Sequence, residues 1–315
     1  MKDLKDHFRG ALLGNMAGDV LGAPLEGMSL LYSKKKGQVR DIIPSFRGKG
    51  RYTDDTQLMI GLAEALCETP GKLDLDRVAF HFGENYEPDR GYGGNTHGIL
   101  AMIQKGRPWR QVVDDYSLPG GSFGNGSAMR VSPIALAFYS RPAKVVEAAD
   151  EQSRVTAHDH SISITGTRLQ ALSVHRGLVK GTAGEDFGGL SFIQEFLDQG
   201  STDYDKPLSW IRDNLDAEPE TAARALGTGV AAIDSVPAAL WAFLSTDSAE
   251  EAIVRAVNLG GDTDTIGAMA GAVAGAYYGA ESLPDRWLDN MENGPKGRDY
   301  VIKLADTLHE NLDKT

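Results

Sequence analysis

The sequence of 315 residues contains a single cysteine, Cys67, so no disulfide can form within the chain. Such sparse cysteine is typical of a reducing compartment, and we expect a cytoplasmic protein in which Cys67 is a small buried apolar side chain. Acidic residues interrupt the first thirteen residues, MKDLKDHFRGALL, and no long apolar segment follows them. We therefore expect no signal peptide.

Positive charge is also in short supply, with 32 Lys and Arg against 44 Asp and Glu and a formal net charge of −12. Nucleic-acid-binding surfaces need clustered Lys and Arg, and the one short run here, the lysines at 34–36, is most simply a solvated loop. The longest weakly polar stretch, residues 266–279, is shorter than the roughly 20 residues that span a membrane. We expect a monomer that binds neither nucleic acid nor membrane.

Strand-like alternation is nearly absent and is suggested only at residues 39–44. Apolar residues instead recur at helical spacing, first at Leu4, Phe8, Leu12, Met16 and Val20. Thr53 is a suitable N-cap for a second helix that contains Leu58, Met59, Leu62 and Leu66. Further helices are predicted over residues 74–84, 96–105, 109–115, 132–139, 142–153, 161–180, 188–198, 205–214, 220–227, 236–245, 248–258, 264–279 and 297–312. With no linker and no repeat, the pattern predicts one all-α domain over residues 1–315, an orthogonal helical bundle.

A row of glycines marks one of these helices, with Gly267, Gly271, Gly275 and Gly279 at every fourth position. Glycine inside a helix costs about 1 kcal/mol relative to alanine, so the row predicts close packing against another helix. We expect this helix at the centre of the fold, with its N-terminus near the middle of one face.

Two acidic clusters stand at predicted helix N-termini, YTDDT at 52–56 and GDTDT at 261–265. Each alone is explained by helix capping. If the two N-termini converge, however, like charges 4 Å apart repel by about 4 kcal/mol at an effective dielectric constant near 20, and a cation is needed. Carboxylate and hydroxyl oxygens select Mg²⁺ or Mn²⁺ over zinc, and six donors suffice for two ions. The candidate ligands are Thr53, Asp54, Asp55, Asp262, Asp264 and Thr265.

Two glycine-rich segments, residues 90–96 and 120–130, lead into predicted helices and could bind an anion through backbone N–H groups. Neither has a Walker or Rossmann pattern. Phe123, between glycines, is either a core residue or a surface on which a base stacks.

His158 and His160 have no cysteine or further histidine at the spacing of zinc ligands, which argues against a zinc site. We expect instead a histidine that hydrogen-bonds a ligand or caps the helix that begins at residue 161. Glu26 lies on a long loop after Pro24, where it is either solvent-exposed or a base that swings over a site.

In this order, the segments GALLGNMAGDVLGAPLEG, YTDDTQL, RGYGGNT, GSFGNGSAMR, AHDHSISITG and GGDTDTIGAMAGAVAGAYYG resemble the ADP-ribosylglycohydrolase family, over residues 10–279. The resemblance implies an all-α fold with a two-metal centre, usually Mg²⁺, in a cleft that binds ADP-ribose. It implies that the six Thr and Asp residues above are the metal ligands, and that Asp54, Asp55, Asp262 and Asp264 also serve catalysis. It implies a diphosphate loop at Gly93, Gly94, Asn95 and Thr96, and a loop for the distal ribose, phosphate and adenine at Gly121, Ser122, Phe123, Gly124 and Asn125. His158 matches a ligand-binding histidine of the family.

Glu26 matches the catalytic flap glutamate of the branch that cleaves serine-linked ADP-ribose, O-acetyl-ADP-ribose and poly(ADP-ribose). The amino-acid sequences of the glycine-rich loops resemble this branch more than the arginine-specific one, although Phe123 stands where tyrosine is common. The resemblance thus implies ADP-ribosylated proteins or peptides as substrates and ADP-ribose as product. Three alternatives remain: an arginine-specific hydrolase, a non-catalytic ADP-ribose-binding relative, and a two-metal phosphohydrolase.

Overall fold

A computed structural model describes residues 3–30, 37–45, 48–200 and 202–314 of the chain. Within these ranges sixteen α-helices and one two-stranded sheet form the protein, so the all-α prediction is confirmed. The loop predicted to hold the lysines at 34–36 lies outside the described residues. The helices are α1 Leu4–Gly22, α2 Asp54–Glu68, α3 Leu75–Asn85, α4 Gly94–Gln104, α5 Trp109–Tyr116, α6 Ser132–Ala137, α7 Pro142–Ser153, α8 Ser161–Ala183, α9 Gly189–Leu197, α10 Asp205–Asp213, α11 Pro219–Leu226, α12 Ala232–Leu244, α13 Ala249–Val257, α14 Thr263–Tyr278, α15 Asp285–Leu288 and α16 Arg298–Glu310.

The centre of the fold is the pair α1 and α14, which run antiparallel. A Cβ atom added at Gly14 would overlap the carbonyl of Gly271, and one added at Gly18 would overlap that of Gly267. The two backbones can therefore approach only because both helices carry glycine at the crossing points. The close packing predicted from the glycines of α14 is confirmed, but its counterpart on α1 was missed. The signal was present as the same four-residue spacing at Gly10, Gly14, Gly18 and Gly22.

The apolar face predicted for α1 is also confirmed, since Phe8, Leu12, Met16 and Val20 are buried. They belong to one apolar core that draws on helices from α1 to α16. The core accords with a single domain, which remains a prediction.

The strand suggested at residues 39–44 is wrong in position. The two short strands are β1 Pro44–Ser45 and β2 Gly48–Lys49, which pair antiparallel. Val39 instead bonds to a side chain: Asn258 accepts from its N–H at 2.9 Å and donates to its carbonyl at 2.9 Å. An asparagine amide can thus replace a neighbouring strand, which no alternation of residues reveals.

Helix boundaries differ from prediction by at most four residues, and the helix predicted over 142–153 agrees at both ends. The largest shift is in α12, which begins at Ala232 rather than 236 and holds Pro237 in its interior. The four-residue helix α15 was not predicted, because so short a segment has no periodicity to detect. None of the helices in the described ranges combines the length and apolar character needed to cross a membrane.

Candidate active site

The N-termini of α2 and α14 lie next to each other, so the convergence that was a condition for a shared acidic site is observed. Thr53 caps α2, its hydroxyl accepting from the N–H of Asp55 at 3.4 Å. Across the gap, the hydroxyl of Thr265 in α14 lies 3.3 Å from Oδ2 of Asp55. Two helix N-termini, each with partial positive charge, therefore face one volume that contains four carboxylates.

Asp262 departs from the capping expectation. It occupies the N-cap position of α14, but its side chain makes no capping hydrogen bond. Its Oδ2 accepts instead from the side-chain amide of Asn125 at 2.6 Å, and that amide also donates to Ser235 at 3.0 Å. Asn125 thereby ties the second glycine-rich segment to the acidic cluster.

A further acidic residue, Asp19 of α1, stabilises the start of α2, and the sequence analysis assigned it no role. It is completely buried and accepts the backbone N–H groups of Thr53 and Thr56, each at 3.0 Å, as well as the Thr56 hydroxyl at 2.5 Å. Asp19 thus caps α2 from another helix. The available signal was a carboxylate in the middle of the apolar stretch MAGDVLG, where a charge needs hydrogen-bonding partners.

Burial and mutual repulsion both disfavour ionisation in this cluster. Burial, and then the charges of Asp19, Asp262 and Glu26, raise the pKa of Asp54 to about 8. The pKa values of Asp55 and Asp264 are raised well above the ordinary value, again by burial first and then by neighbouring acids. If all the carboxyl groups of the cluster ionise, the protein does not balance their negative charge. A bound cation would reduce the repulsion between them.

The residues fit a hard divalent cation by the chemistry of their donors. Carboxylate and threonine oxygens are the ligands that Mg²⁺ and Mn²⁺ prefer, and Oδ1 of Asp55 is buried without a hydrogen-bonding partner. As the side chains stand, no three His, Cys, Asp or Glu residues within the described ranges form a group that could hold an ion. The fit therefore rests on the donor types and the unpartnered oxygen of Asp55.

A cavity of about 300 Å³ opens over the cluster and brings most of the predicted site residues together. It is lined by Glu26, Asp54, Asp55, Gly91, Gly93, Gly94, Asn95, Thr96, Ser122, Gly124, Asn125, Gly126, Met129, His158, Val230, Asp262, Asp264 and Thr265. Of the predicted residues, Thr53, Gly121 and Phe123 do not line it. Gly91, Gly126, Met129 and Val230 line it without having been assigned a role.

One wall of the cavity is the N-terminus of α4. No side chain caps this helix, and a Cβ atom added at Gly93 or Gly94 would meet nothing within 4 Å. Free N–H groups at an open helix N-terminus suit an anion, so the anion-binding prediction for this segment is physically reasonable. Asn95 and Thr96 continue the same first turn.

His158 lines the cavity, and Phe123 stands in the chain between Ser122 and Gly124, which line it, without lining it itself. His158 is buried with its Nδ1 hydrogen-bonded to Thr156 at 2.9 Å, and it follows Ala157, whose φ of 57° is rare for a residue with a side chain. Phe123 is 55% exposed, so of the two readings of this residue the core position is wrong. The capping role suggested for a histidine belongs to His160, whose Nδ1 accepts from the N–H of Ile162 at 3.2 Å.

Glu26 is exposed at the rim, and its loop is joined to the acidic cluster. The N–H of Gly27 donates to the carbonyl of Gly261 at 2.8 Å, and the N–H of Gly261 donates to the carbonyl of Met28 at 2.9 Å. Gly261 has a φ of 76°, and a Cβ atom there would overlap the carbonyl of Thr228. The segment next to Glu26 is thus bonded to the residue that directly precedes Asp262.

Fold and site together define an all-α protein whose cavity combines a carboxylate cluster, an open helix N-terminus and a carboxylate at the rim. The sequence model of the ADP-ribosylglycohydrolase family matches residues 1–315, and the chain belongs to this family. It is an enzyme, a hydrolase that acts on glycosyl bonds.

Individual relatives agree with this assignment. The chain is 33% identical to ADP-ribosylhydrolase ARH3 of Bos taurus, covering 98% of this chain and 93% of that one. It is 29% identical to ADP-ribosyl-[dinitrogen reductase] glycohydrolase of Rhodospirillum rubrum, covering 91% and 90%. A solved structure named ADP-ribosylglycohydrolase-related protein complex superposes with a TM-score of 0.73 at 27% identity and covers 99% of both chains.

Proposed function

We propose that this protein hydrolyses the O-glycosidic bond between ADP-ribose and a serine side chain of a modified protein or peptide. The observation that carries the proposal is the position of Glu26, which lines the same cavity as the four carboxylates while its loop is bonded to Gly261. The likeness to ADP-ribosylhydrolase ARH3 supports it, together with the resemblance of the glycine-rich loops to the serine-specific branch.

In this proposal the cavity walls hold ADP-ribose along its length. The open N-terminus of α4 binds the diphosphate through the N–H groups that follow Gly93. Phe123, with the loop from Gly121 to Asn125, supports the adenine, the distal ribose and its phosphate. His158 contributes a hydrogen bond from the buried side of the cavity.

At the other end, the acidic cluster and Glu26 face the anomeric carbon of the proximal ribose. Two Mg²⁺ ions (or Mn²⁺), held by Thr53, Asp54, Asp55, Asp262, Asp264 and Thr265, would when bound supply positive charge that orients the ribose hydroxyls. The protein holds the sugar in place, which favours the oxocarbenium-like transition state of glycoside hydrolysis. Glu26 accepts a proton from the attacking water or assists departure of the serine oxygen.

The test compares release of ADP-ribose from serine-modified and arginine-modified peptides with Mg²⁺ present. We expect turnover on the serine linkage and loss of about a hundredfold or more in Glu26→Gln, the range of general acid–base catalysis. Glu310→Gln, an exposed glutamate at the end of α16, is the matched control. Equal or faster turnover of the arginine linkage would place the enzyme in the other branch.

Two further outcomes separate the remaining alternatives. Release of AMP in place of ADP-ribose would identify a phosphohydrolase that uses the same acids. A non-catalytic relative would bind ADP-ribose with an affinity that does not change when all divalent metal is chelated. Loss of activity in Asp262→Asn and Asp264→Asn is expected for the proposed hydrolase, and undiminished turnover would contradict it.

A further inference from the structure

Arg90 is a buried cation that stands just before α4 in the chain and bonds to the segment just before α2. Its side chain is only 3% exposed, and the guanidinium carbon lies 3.9 Å from the centre of the Tyr52 ring. Nη1 donates to the carbonyl of Tyr52 at 2.9 Å. Because Tyr52 directly precedes the cap of α2, Arg90 holds the backbone from which Thr53 and the first acids of the cluster project.

Arg90 also begins the turn that leads to α4. The next residue, Gly91, has a φ of 104°, in the left-handed region that favours glycine, and it lines the cavity. Two residues later, Gly93 occupies the N-cap position of α4. The guanidinium therefore fixes the starting point of the diphosphate-binding turn as well as the start of α2.

Glu292 and Glu87 hold the guanidinium itself in place. Glu292 accepts from Nη1 at 2.7 Å and from Nη2 at 2.9 Å, a planar two-bond pairing that lysine cannot reproduce. Glu87 accepts from Nε at 3.1 Å. The backbone N–H of Glu292 donates in turn to the carbonyl of Gly50 at 2.8 Å. The segment that contains Glu292 is therefore bonded to the chain two residues before Tyr52.

A second bridge joins the same two segments through α2. Oε1 of Gln57 accepts from the Tyr92 hydroxyl and, at 3.2 Å, from the backbone N–H of Glu87. The chain from 87 to 92 is thus bonded to α2 and its cap at several points. The side chains that make these bonds do not line the cavity, so the network can act on a ligand only through the spacing that it sets. They belong to Arg90, Tyr52, Gln57, Glu87, Tyr92 and Glu292.

We propose that Arg90 is a positioning residue that sets the distance between the acidic cluster at the start of α2 and the anion-binding N-terminus of α4. A ligand that contacts both ends, as ADP-ribose does in the proposed function on which this inference rests, depends on that distance. Ligands that use only one end do not depend on it.

Three titrations by calorimetry test the proposal on the full chain: Mg²⁺ alone, ADP alone, and ADP-ribose with Mg²⁺. In Arg90→Gln we expect the affinity for ADP-ribose to fall at least about tenfold, ~1.4 kcal/mol, while the affinities for Mg²⁺ and ADP change less than about twofold. Arg90→Lys keeps the charge without the fork and should give the same pattern. Glu292→Gln should repeat it by leaving Arg90 without its main partner.

Arg51→Gln is the matched control, because Arg51 pairs with Asp89 and Glu87 in the same region but does not contact the Tyr52 carbonyl or Glu292. Unchanged ADP-ribose affinity in the folded Arg90 variants would overturn the inference, and so would an equal loss for all three ligands. If Arg90→Gln does not fold, as judged by circular dichroism, Arg90→Lys and Glu292→Gln decide. Failure of the unsubstituted protein to bind ADP-ribose would instead contradict the proposed function.

Discussion

The hydroxyl of Thr265 lies 3.3 Å from Oδ2 of Asp55, although the two residues are 210 positions apart in the chain. This contact joins the first turns of α14 and α2, and it places the buried carboxylates of both helices around one small volume. Their pKa values are raised by burial and by one another's charge. The folded protein thus maintains an arrangement that is electrostatically unfavourable in the absence of a cation, which is typical of a functional site.

Neutralising one of these acids should stabilise the metal-free protein and remove its response to metal. For Asp264→Asn we expect a gain of about 0.5–2 kcal/mol in the free energy of unfolding with EDTA present, the usual range for a single stabilising substitution. Millimolar Mg²⁺ should raise the Tm of the unsubstituted protein by binding the folded state, but not that of the variant. Thermal unfolding with and without Mg²⁺ measures both effects. An equal Mg²⁺-induced shift in the two proteins would exclude Asp264 from the metal site.

Asp19 does not line the cavity, but it should contribute strongly to the stability of the fold. Asp19→Ala leaves two buried backbone N–H groups and the Thr56 hydroxyl without an acceptor, each costing about 1–3 kcal/mol. We expect a loss of about 3 kcal/mol or more in urea unfolding, with a smaller loss for Asp19→Asn, which keeps one acceptor oxygen. A change below about 0.5 kcal/mol, as for an ordinary surface substitution, would show that the cap of α2 does not need this carboxylate.

The fold was predictable where residue types repeat at a fixed spacing. The four-residue spacing of Phe8, Leu12 and Met16 identified α1, and the glycines of α14 identified a close helix contact. What spacing did not reveal is which helix provides the other side of that contact. Pairing of distant helices depends on packing in three dimensions, and the Asn258 amide that bonds Val39 shows the same limit for single side chains.

Alanine in the glycine contact should be strongly destabilising. In Gly14→Ala the new Cβ atom overlaps the carbonyl of Gly271 in a backbone that cannot yield without separating the two central helices. We expect a loss of about 2–3 kcal/mol or more, the cost of overpacking a well-packed core. Gly294→Ala is the control, since an added Cβ atom there meets nothing within 4 Å. Urea unfolding curves of the two variants should differ clearly, and similar curves would contradict the close contact.

Phe123 should contribute to ligand affinity by stacking rather than to stability. Its ring is largely exposed, while its backbone is fixed because its carbonyl accepts from the N–H of Ala232 at 3.0 Å. If adenine stacks there, Phe123→Ala should weaken ADP-ribose binding by about 1–2 kcal/mol, roughly five- to thirtyfold in Kd. Phe123→Tyr should retain the affinity, and Phe80→Ala, another exposed aromatic, serves as the control. Unchanged affinity in Phe123→Ala would place the base elsewhere.

Most residues that line the cavity could be named from the sequence, but the contacts that support them could not. Asp54, Asp55, Asp262 and Asp264 stood out because Thr and Asp alternate at two helix starts. Asp19 did not, since a lone carboxylate inside a helix gives no local pattern that names its partners. Arg90 was visible only as the first letter of a glycine-rich segment, and its pairing with Glu292 spans 202 residues.

The pH dependence of stability should carry a contribution from His158. Burial and the charge of Arg130 lower its pKa to about 3, from an ordinary value of 6.5, so the imidazole is neutral in the folded protein near neutral pH. Because the folded pKa lies below the unfolded one, the unfolded chain alone takes up a proton as the pH falls below about 6.5. This group therefore lowers the free energy of unfolding by about 1.4 kcal/mol per pH unit below that point, until the folded pKa is reached.

Urea unfolding at pH 7 and pH 5 isolates this contribution when the protein is compared with His158→Gln. Between these two values the variant should lose less stability than the unsubstituted protein, by about 2 kcal/mol, because glutamine does not titrate. His309→Gln, at the end of α16, controls for the loss of a histidine elsewhere. Equal losses in the His158 variant and the unsubstituted protein would show that His158 is protonated as readily in the folded state as in the unfolded one. Its neutral role facing the cavity would then be wrong.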